Sequence, residues 1–241
     1  MAADGRRHIV ASGGSVAPDR GQRVPALVDH LLHLSGRPGP RLCFINTGEG
    51  DSLRWVEPAC VAFQGSPVVA RHLALFPMPN VADPEDLLLS QDVIFVGGGS
   101  TANMVAVWRV HGLDQVLRRA WEQGVVLAGV SAGAICWFAG GTTDSFGPEL
   151  RPFADGLGLL AGSYCPHYDS EPRRRPAFQA LVADRTLPGG IGCDDGAAAH
   201  FVDDGLVEVL VERPGPRGYR VEPVGSGGCR ETPLAIRRLE S

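Results

Sequence analysis

Short apolar runs in this chain repeatedly stop at a small-residue turn and give way to sequence with helical spacing, and this alternation restricts the fold more than any other feature. His8-Ile9-Val10-Ala11 leads into Ser12-Gly13-Gly14-Ser15, after which apolar residues recur at Val24, Leu27, Val28, Leu31 and Leu32 within 23–34. The run at 41–46 enters the turn Thr47-Gly48-Glu49-Gly50-Asp51. Asp92-Val93-Ile94-Phe95-Val96 opens into Gly97-Gly98-Gly99-Ser100-Thr101, with helical sequence resuming at 102–109 and 113–123. Val125-Val126-Leu127-Ala128 runs into Gly129-Val130-Ser131-Ala132-Gly133. Apolar strands alternating with helices predict an α/β protein with a mostly parallel sheet covered on both faces. Functional residues in such sheets gather at the carboxyl ends of strands, where Gly97–Gly99 and Ser131 both fall.

The remaining segments read less regularly. A helix is expected at 52–64, interrupted at Pro58, then a strand at 68–75 and a short helix at 84–89. Glycine, proline and polar residues at 140–162 suggest an extended loop or hairpin, and a short helix follows at 176–183. Alternation at 206–212 and 219–224 suggests a terminal hairpin joined through Pro214-Gly215-Pro216-Arg217-Gly218. With no internal repeat and no long linker, one domain over 1–241 is expected.

A G-x-S-x-G pattern arises easily by chance in a chain with 32 glycines. Here its position between an apolar strand and a helix gives it meaning as a nucleophile elbow, in which small flanking residues allow a strained turn that exposes the serine. The N–H of Ala132, at the start of the helix, would face the developing oxyanion. A serine nucleophile needs a base, and His167 in Ser163-Tyr164-Cys165-Pro166-His167-Tyr168-Asp169 is the best placed; His200, His111, His72, His33, His30 and His8 fit less well. A carboxylate to orient that base is offered by Asp194-Asp195-Gly196 or by Asp144, either of which also reads as a turn or capping residue. Gly97-Gly98-Gly99 could cradle a phosphate, but it lacks the P-loop lysine and dinucleotide spacing. Beside an elbow strand, Gly98 and Gly99 serve better as the second oxyanion donor.

A formal net charge of −5 gives no reason to expect nucleic acid. The basic run Arg173-Arg174-Arg175 is short and reads as a solvated loop or helix start. No secretory signal and no run of membrane-spanning length is present, so a cytoplasmic location is expected, with no membrane partner. Six scattered cysteines without a C-x-x-C pair read as small core residues and suggest no metal site.

Taken together, the strand 93–96 with Gly97–Thr101, the elbow 129–134, Pro166-His167 and Asp195-Gly196 resemble, in order and over roughly 8–225, the peptidase E family of α-aspartyl dipeptidases and their cyanophycinase-like relatives. The resemblance implies a three-layer α/β/α fold similar to class I glutamine amidotransferases (flavodoxin-like), a cofactor-independent serine hydrolase of small peptides, and monomers or homodimers. It implies Ser131 as nucleophile, His167 as base and Asp195 as third member where the dipeptidases place a glutamate, with Asp144 ranked second. Arg173 falls where such enzymes hold an arginine for an amino-terminal aspartate. An Asp-first dipeptide is therefore the expected substrate; a β-aspartyl peptide or other acyl compound, or a non-catalytic binding role, are the alternatives.

Overall fold

The computed structural model describes residues 2, 4–16, 24–54 and 56–239. The first part of the chain follows the alternation: β1 (His8–Ser12), α1 (Ala26–Leu34), β2 (Arg41–Ile45), α2 (Val56–Ala62), β3 (Val69–Leu73), α3 (Pro84–Leu89), β4 (Val93–Val96), α4 (Thr101–Val110), α5 (Leu113–Glu122), β5 (Val126–Val130) and α6 (Ala132–Ile135). Caps explain several starts. The Asp83 side chain accepts the Asp86 N–H at 3.0 Å ahead of Pro84, and the Ser100 hydroxyl accepts the Asn103 N–H at 3.2 Å. Pro58 does not interrupt its helix. It lies in the first turn of α2, where its missing N–H has no intrahelical role.

The second part is richer in strands than expected: β6 (Phe138–Thr143), β7 (Arg151–Phe153), β8 (Leu160–Cys165), α7 (Arg174–Ala183), β9 (Gly190–Cys193), β10 (Ala197–Val202), β11 (Gly205–Val211), β12 (Gly218–Val224), β13 (Gly228–Pro233) and β14 (Ile236–Arg238). An eight-stranded sheet runs β14-β11-β10-β1-β5-β4-β2-β3, parallel from β1 to β3 with β10 antiparallel to β1. A six-stranded sheet runs β13-β12-β9-β8-β6-β7. The hairpin expected at 140–162 is present as β6 and β7. The terminal hairpin is not: β11 pairs with β10 and β14, whereas β12 pairs with β9 and β13 in the other sheet. Alternation reports that a strand has one buried face; it carries no information about which strand lies beside it.

The two faces of the larger sheet feed separate cores. Val10, Phe44, Phe95 and Ala128 point toward α1 and α2. Ile9, Ala11, Ile45, Ile94 and Leu127 point toward α3–α6 and the smaller sheet. There Phe138 stacks on Tyr164 at 5.0 Å and meets Phe201 edge-on at 5.5 Å, while the buried Tyr164 hydroxyl donates to the Ala11 carbonyl at 2.8 Å. Helix α7 closes the far side of the smaller sheet with Phe178 and Val182. One flank of the expected three layers is thus itself backed by a second sheet. All six cysteines are free, four of them buried. Among the described residues no helix is long and apolar enough to cross a membrane.

At the amino-terminal end of β1, His8 Nδ1 lies 3.0 Å from His200 Nε2, and His200 Nδ1 lies 3.3 Å from Glu208, which also binds Arg237. His30 of α1 packs edge-on to His200, and its buried Nε2 has no partner among the described residues. Burial, reinforced by Arg237 and His200, holds the His30 imidazole down to about 4 from 6.5. Because that value is depressed by folding, His30 contributes stability that is present above pH 6.5 and lost as the pH falls through about 4. His30→Asn should therefore flatten the fall in unfolding free energy, followed by urea titration, across this window by on the order of 2 kcal/mol once solvent screening of a partly exposed ring is allowed for. Asp194, whose carboxyl burial raises, acts in the opposite sense but is common to both proteins. Parallel pH curves for the two proteins would refute this assignment.

Candidate active site

Strands β1, β5 and β4 are parallel neighbours, so their carboxyl ends lie side by side. Ser131 leaves β5 with φ 55° and ψ −117°, and its N–H donates to the Ser12 carbonyl at the end of β1. A left-handed φ on a serine is a strained conformation held by its surroundings. The flanking glycines show how tightly it is held. A Cβ on Gly129 would overlap the Gly133 carbonyl, and one on Gly133 would lie 2.5 Å from the Gly97 oxygen.

The other members come from the smaller sheet. β8 and β9 are parallel neighbours, so the loops that follow them emerge together, carrying His167 and Asp195 respectively. His167 has φ 53°, and its N–H donates to the Gly13 carbonyl at 3.1 Å. Its Nε2 lies 2.9 Å from Ser131 Oγ and its Nδ1 lies 2.8 Å from Asp195 Oδ1. With the proton on Nδ1 donated to Asp195, Nε2 accepts from the serine hydroxyl. The Asp195 N–H donates to Asp169 Oδ1 at 2.9 Å, and the Tyr168 N–H donates to the Cys193 carbonyl, so the two loops are bonded to each other. The neighbouring Asp194 turns away: its Oδ2 accepts the Arg217 N–H at 2.8 Å.

Gly98 stands directly over the nucleophile. A Cβ there would lie 3.4 Å from Ser131 Cβ. The amides of Gly98 and Gly99 have no hydrogen-bond partner among the described residues, and Ala132 opens α6, where amides lack intrahelical acceptors.

Asp144 and Arg173 are elsewhere. Asp144 is exposed and 3.6 Å from Arg174, not from His167. Arg173 is exposed and donates to the Pro148 carbonyl at 2.9 Å; with Asp144 it lines a separate cavity of about 340 Å³. The run 173–175 is the helix start it was read as, with Arg173 as the N-cap of α7, but it is not wholly solvated. Arg174 is 3 % exposed, bound to Glu171 and the Thr142 carbonyl. Arg175 pairs with Glu231, which also accepts from the Tyr168 hydroxyl and Gln179. A buried guanidinium needs such partners, and tertiary contacts supply them.

Gly14 is a site residue that motif reasoning missed. A Cβ there would lie 2.5 Å from His167 Nδ1, 2.6 Å from Cε1 and closer still to Asp195 Oδ1. Its signal was present as the glycine pair ending β1, a strand whose end borders the elbow. Ser131, His167, Gly98 and Gly99 line a cavity of about 550 Å³ whose other walls come from α1, α2, β2 and β4.

A strained serine at a strand–helix elbow, hydrogen-bonded to an imidazole that is itself bonded to a carboxylate, on a parallel α/β sheet, defines the class of α/β serine hydrolases. The model of peptidase family S51 matches residues 9–209, and the chain belongs to that family of serine-type peptidases. It is 43% identical over 236 residues to the uncharacterized peptidase YgaJ of Bacillus subtilis (strain 168), covering 97% of this chain and 99% of that one. A Peptidase E of Shewanella amazonensis is 30% identical over 52% of this chain and 57% of its own. A cyanophycinase of Synechococcus elongatus is 28% identical over 48% of this chain and 38% of its own. Among solved structures, a peptidase from an acI-B1 actinobacterium superposes with a TM-score of 0.68 at 17% identity, covering 96% of each chain. A putative peptidase E of Listeria monocytogenes EGD-e gives 0.59 at 16% identity, over 84% of this chain and 97% of that one.

Proposed function

We propose that this serine peptidase hydrolyses small peptides, dipeptides above all, with Ser131 as nucleophile, His167 as general base and acid, and Asp195 as the carboxylate that orients it. The observation that carries this reading is the continuous hydrogen-bond chain from Ser131 Oγ through both nitrogens of His167 to Asp195. Ser131 Oγ attacks the scissile carbonyl as its proton passes to Nε2. The imidazolium, stabilised by Asp195, then protonates the leaving amine. Water, deprotonated by the same nitrogen, hydrolyses the acyl-enzyme. The amides of Ala132 and Gly99, with Gly98 adjacent, would bind the oxyanion. A cavity of about 550 Å³ lies in the ~300–1,000 Å³ range of small-molecule sites.

The aspartyl-dipeptide and β-aspartyl readings keep this chemistry and differ in the group that binds the substrate acid. Arg173 motivated the first, and it does not line this cavity. A fluorophosphonate probe tests the chemistry without assuming a substrate. A stoichiometric adduct at Ser131, found by peptide mass mapping, is expected; no adduct, or one elsewhere, would overturn the assignment and leave the non-catalytic alternative.

A further inference from the structure

The cavity beside Ser131 has an unusual lining for an enzyme of acidic peptides. Val28 of α1, Phe44 of β2, Ala59 of α2, Phe63, Phe95 of β4 and Val130 of β5 make its walls apolar. Among the described residues, Glu49 is the one acidic or basic side chain besides His167 that lines it. Glu49 belongs to the short 3₁₀ turn Thr47–Glu49 after β2. That turn is bonded to the glycine loop, since the Gly48 carbonyl accepts the Ser100 N–H at 2.9 Å. Asn46 orients the carboxylate: its Nδ2 lies 3.4 Å from Glu49 Oε2 and donates to the Ser52 carbonyl at 2.7 Å. A carboxylate is therefore held next to the loop that carries the oxyanion amides.

In an α-amino acyl substrate, the ammonium nitrogen is separated from the reacting carbonyl carbon by the single Cα atom. Once the carbonyl oxygen lies against Gly98–Gly99, that ammonium falls within a few ångströms of the same loop, against which the Glu49 turn is bonded. The first side chain then projects into the apolar walls. An acidic first side chain would have to shed its hydration there, beside a like charge.

We propose that Glu49 binds the free α-ammonium of the substrate and that the apolar cavity takes a neutral, hydrophobic first side chain, so the preferred substrates are dipeptides with residues such as leucine or phenylalanine at the amino end. This inference rests on the serine-peptidase reading of the same site. It assigns Glu49 as a specificity residue, with a contact made equally in ground and transition state, so its loss is read mainly in KM.

The test compares Leu-X, Phe-X and Asp-X dipeptides and the N-acetylated Leu-X and Phe-X forms, with wild type and Glu49→Gln. Wild type is expected to prefer Leu-X and Phe-X over Asp-X and to lose roughly 10- to 100-fold in kcat/KM on N-acetylation, as a charge-assisted hydrogen bond is removed. E49Q should narrow the ratio between free and acetylated substrates by a similar factor, chiefly through KM, an effect that a merely structural role would not produce. Preference for Asp-X, or an unchanged ratio in E49Q, would overturn the proposal. So would silence toward every peptide while the fluorophosphonate still labels Ser131. Loss of that labelling in wild type would instead strike the serine-peptidase reading itself.

Discussion

Replacing Ser131 with alanine is expected to lower peptide hydrolysis by roughly a millionfold in kcat, the scale seen when a serine nucleophile is removed from a triad. Alanine accepts the strained backbone no worse than serine does, and the Gly129 and Gly133 contacts that shape the elbow stay in place. The fold should therefore survive, with a stability change within about 1 kcal/mol. His167 and Asp195 remain bonded to each other in the variant, so any residual rate reports the cavity and oxyanion amides alone. The effects should also be non-additive: adding His167→Ala to Ser131→Ala should cost almost nothing further, because the two residues act as a unit. Purified variant assayed beside wild type, with unfolding curves for both, checks the whole set. Turnover retained within tenfold would mean that another residue performs the attack.

Replacing Gly14 with alanine is expected to reduce kcat/KM by at least about a hundredfold, the cost of misplacing catalytic groups by an ångström. Gly14 lies far from the elbow motif in sequence, yet an added methyl carbon would occupy space held by both His167 and Asp195. One of the two must move, and either movement breaks the 2.8 Å contact that orients the imidazole. The expected pattern is a fall in kcat with KM little changed, together with slower fluorophosphonate labelling, since the probe also needs an activated serine. A cost of about 1–3 kcal/mol in stability is expected from overpacking. Activity within a few-fold of wild type would show that the His167–Asp195 contact is not needed in the geometry described.

The features legible in the sequence are those whose physics is local. A continuous apolar run followed by a small-residue turn and helical spacing specifies strand, turn and helix from neighbouring residues alone, and β1, β2, β4 and β5 appear where this pattern put them. The elbow is legible for the same reason: Gly129 and Gly133 are close in sequence, and the space each lacks is taken up by the turn they belong to and the strand end beside it. Pro166-His167 and Asp195 were visible as loop residues, but the choice between Asp195 and Asp144 was not, because it depends on β8 and β9 being parallel neighbours. Strand partners separated by a long stretch of chain leave no mark on either strand's own alternation. The same blindness produced the terminal hairpin, whose two strands belong to different sheets.

The burial of Arg174 and the anchoring of Arg175 on Glu231 were hidden likewise, since a guanidinium reads as solvated until its distant acceptors are known. What the sequence determined by itself was therefore the α/β alternation and a serine on a strained elbow, both consequences of short-range sterics and hydrophobic periodicity. Tertiary structure alone decided which carboxylate meets His167, why Gly14 must stay small, and that the described lining of the space beside Ser131 is mostly apolar and includes Glu49 rather than Arg173. Each of these depends on the order of strands in two sheets, which is settled by the collective packing of both cores.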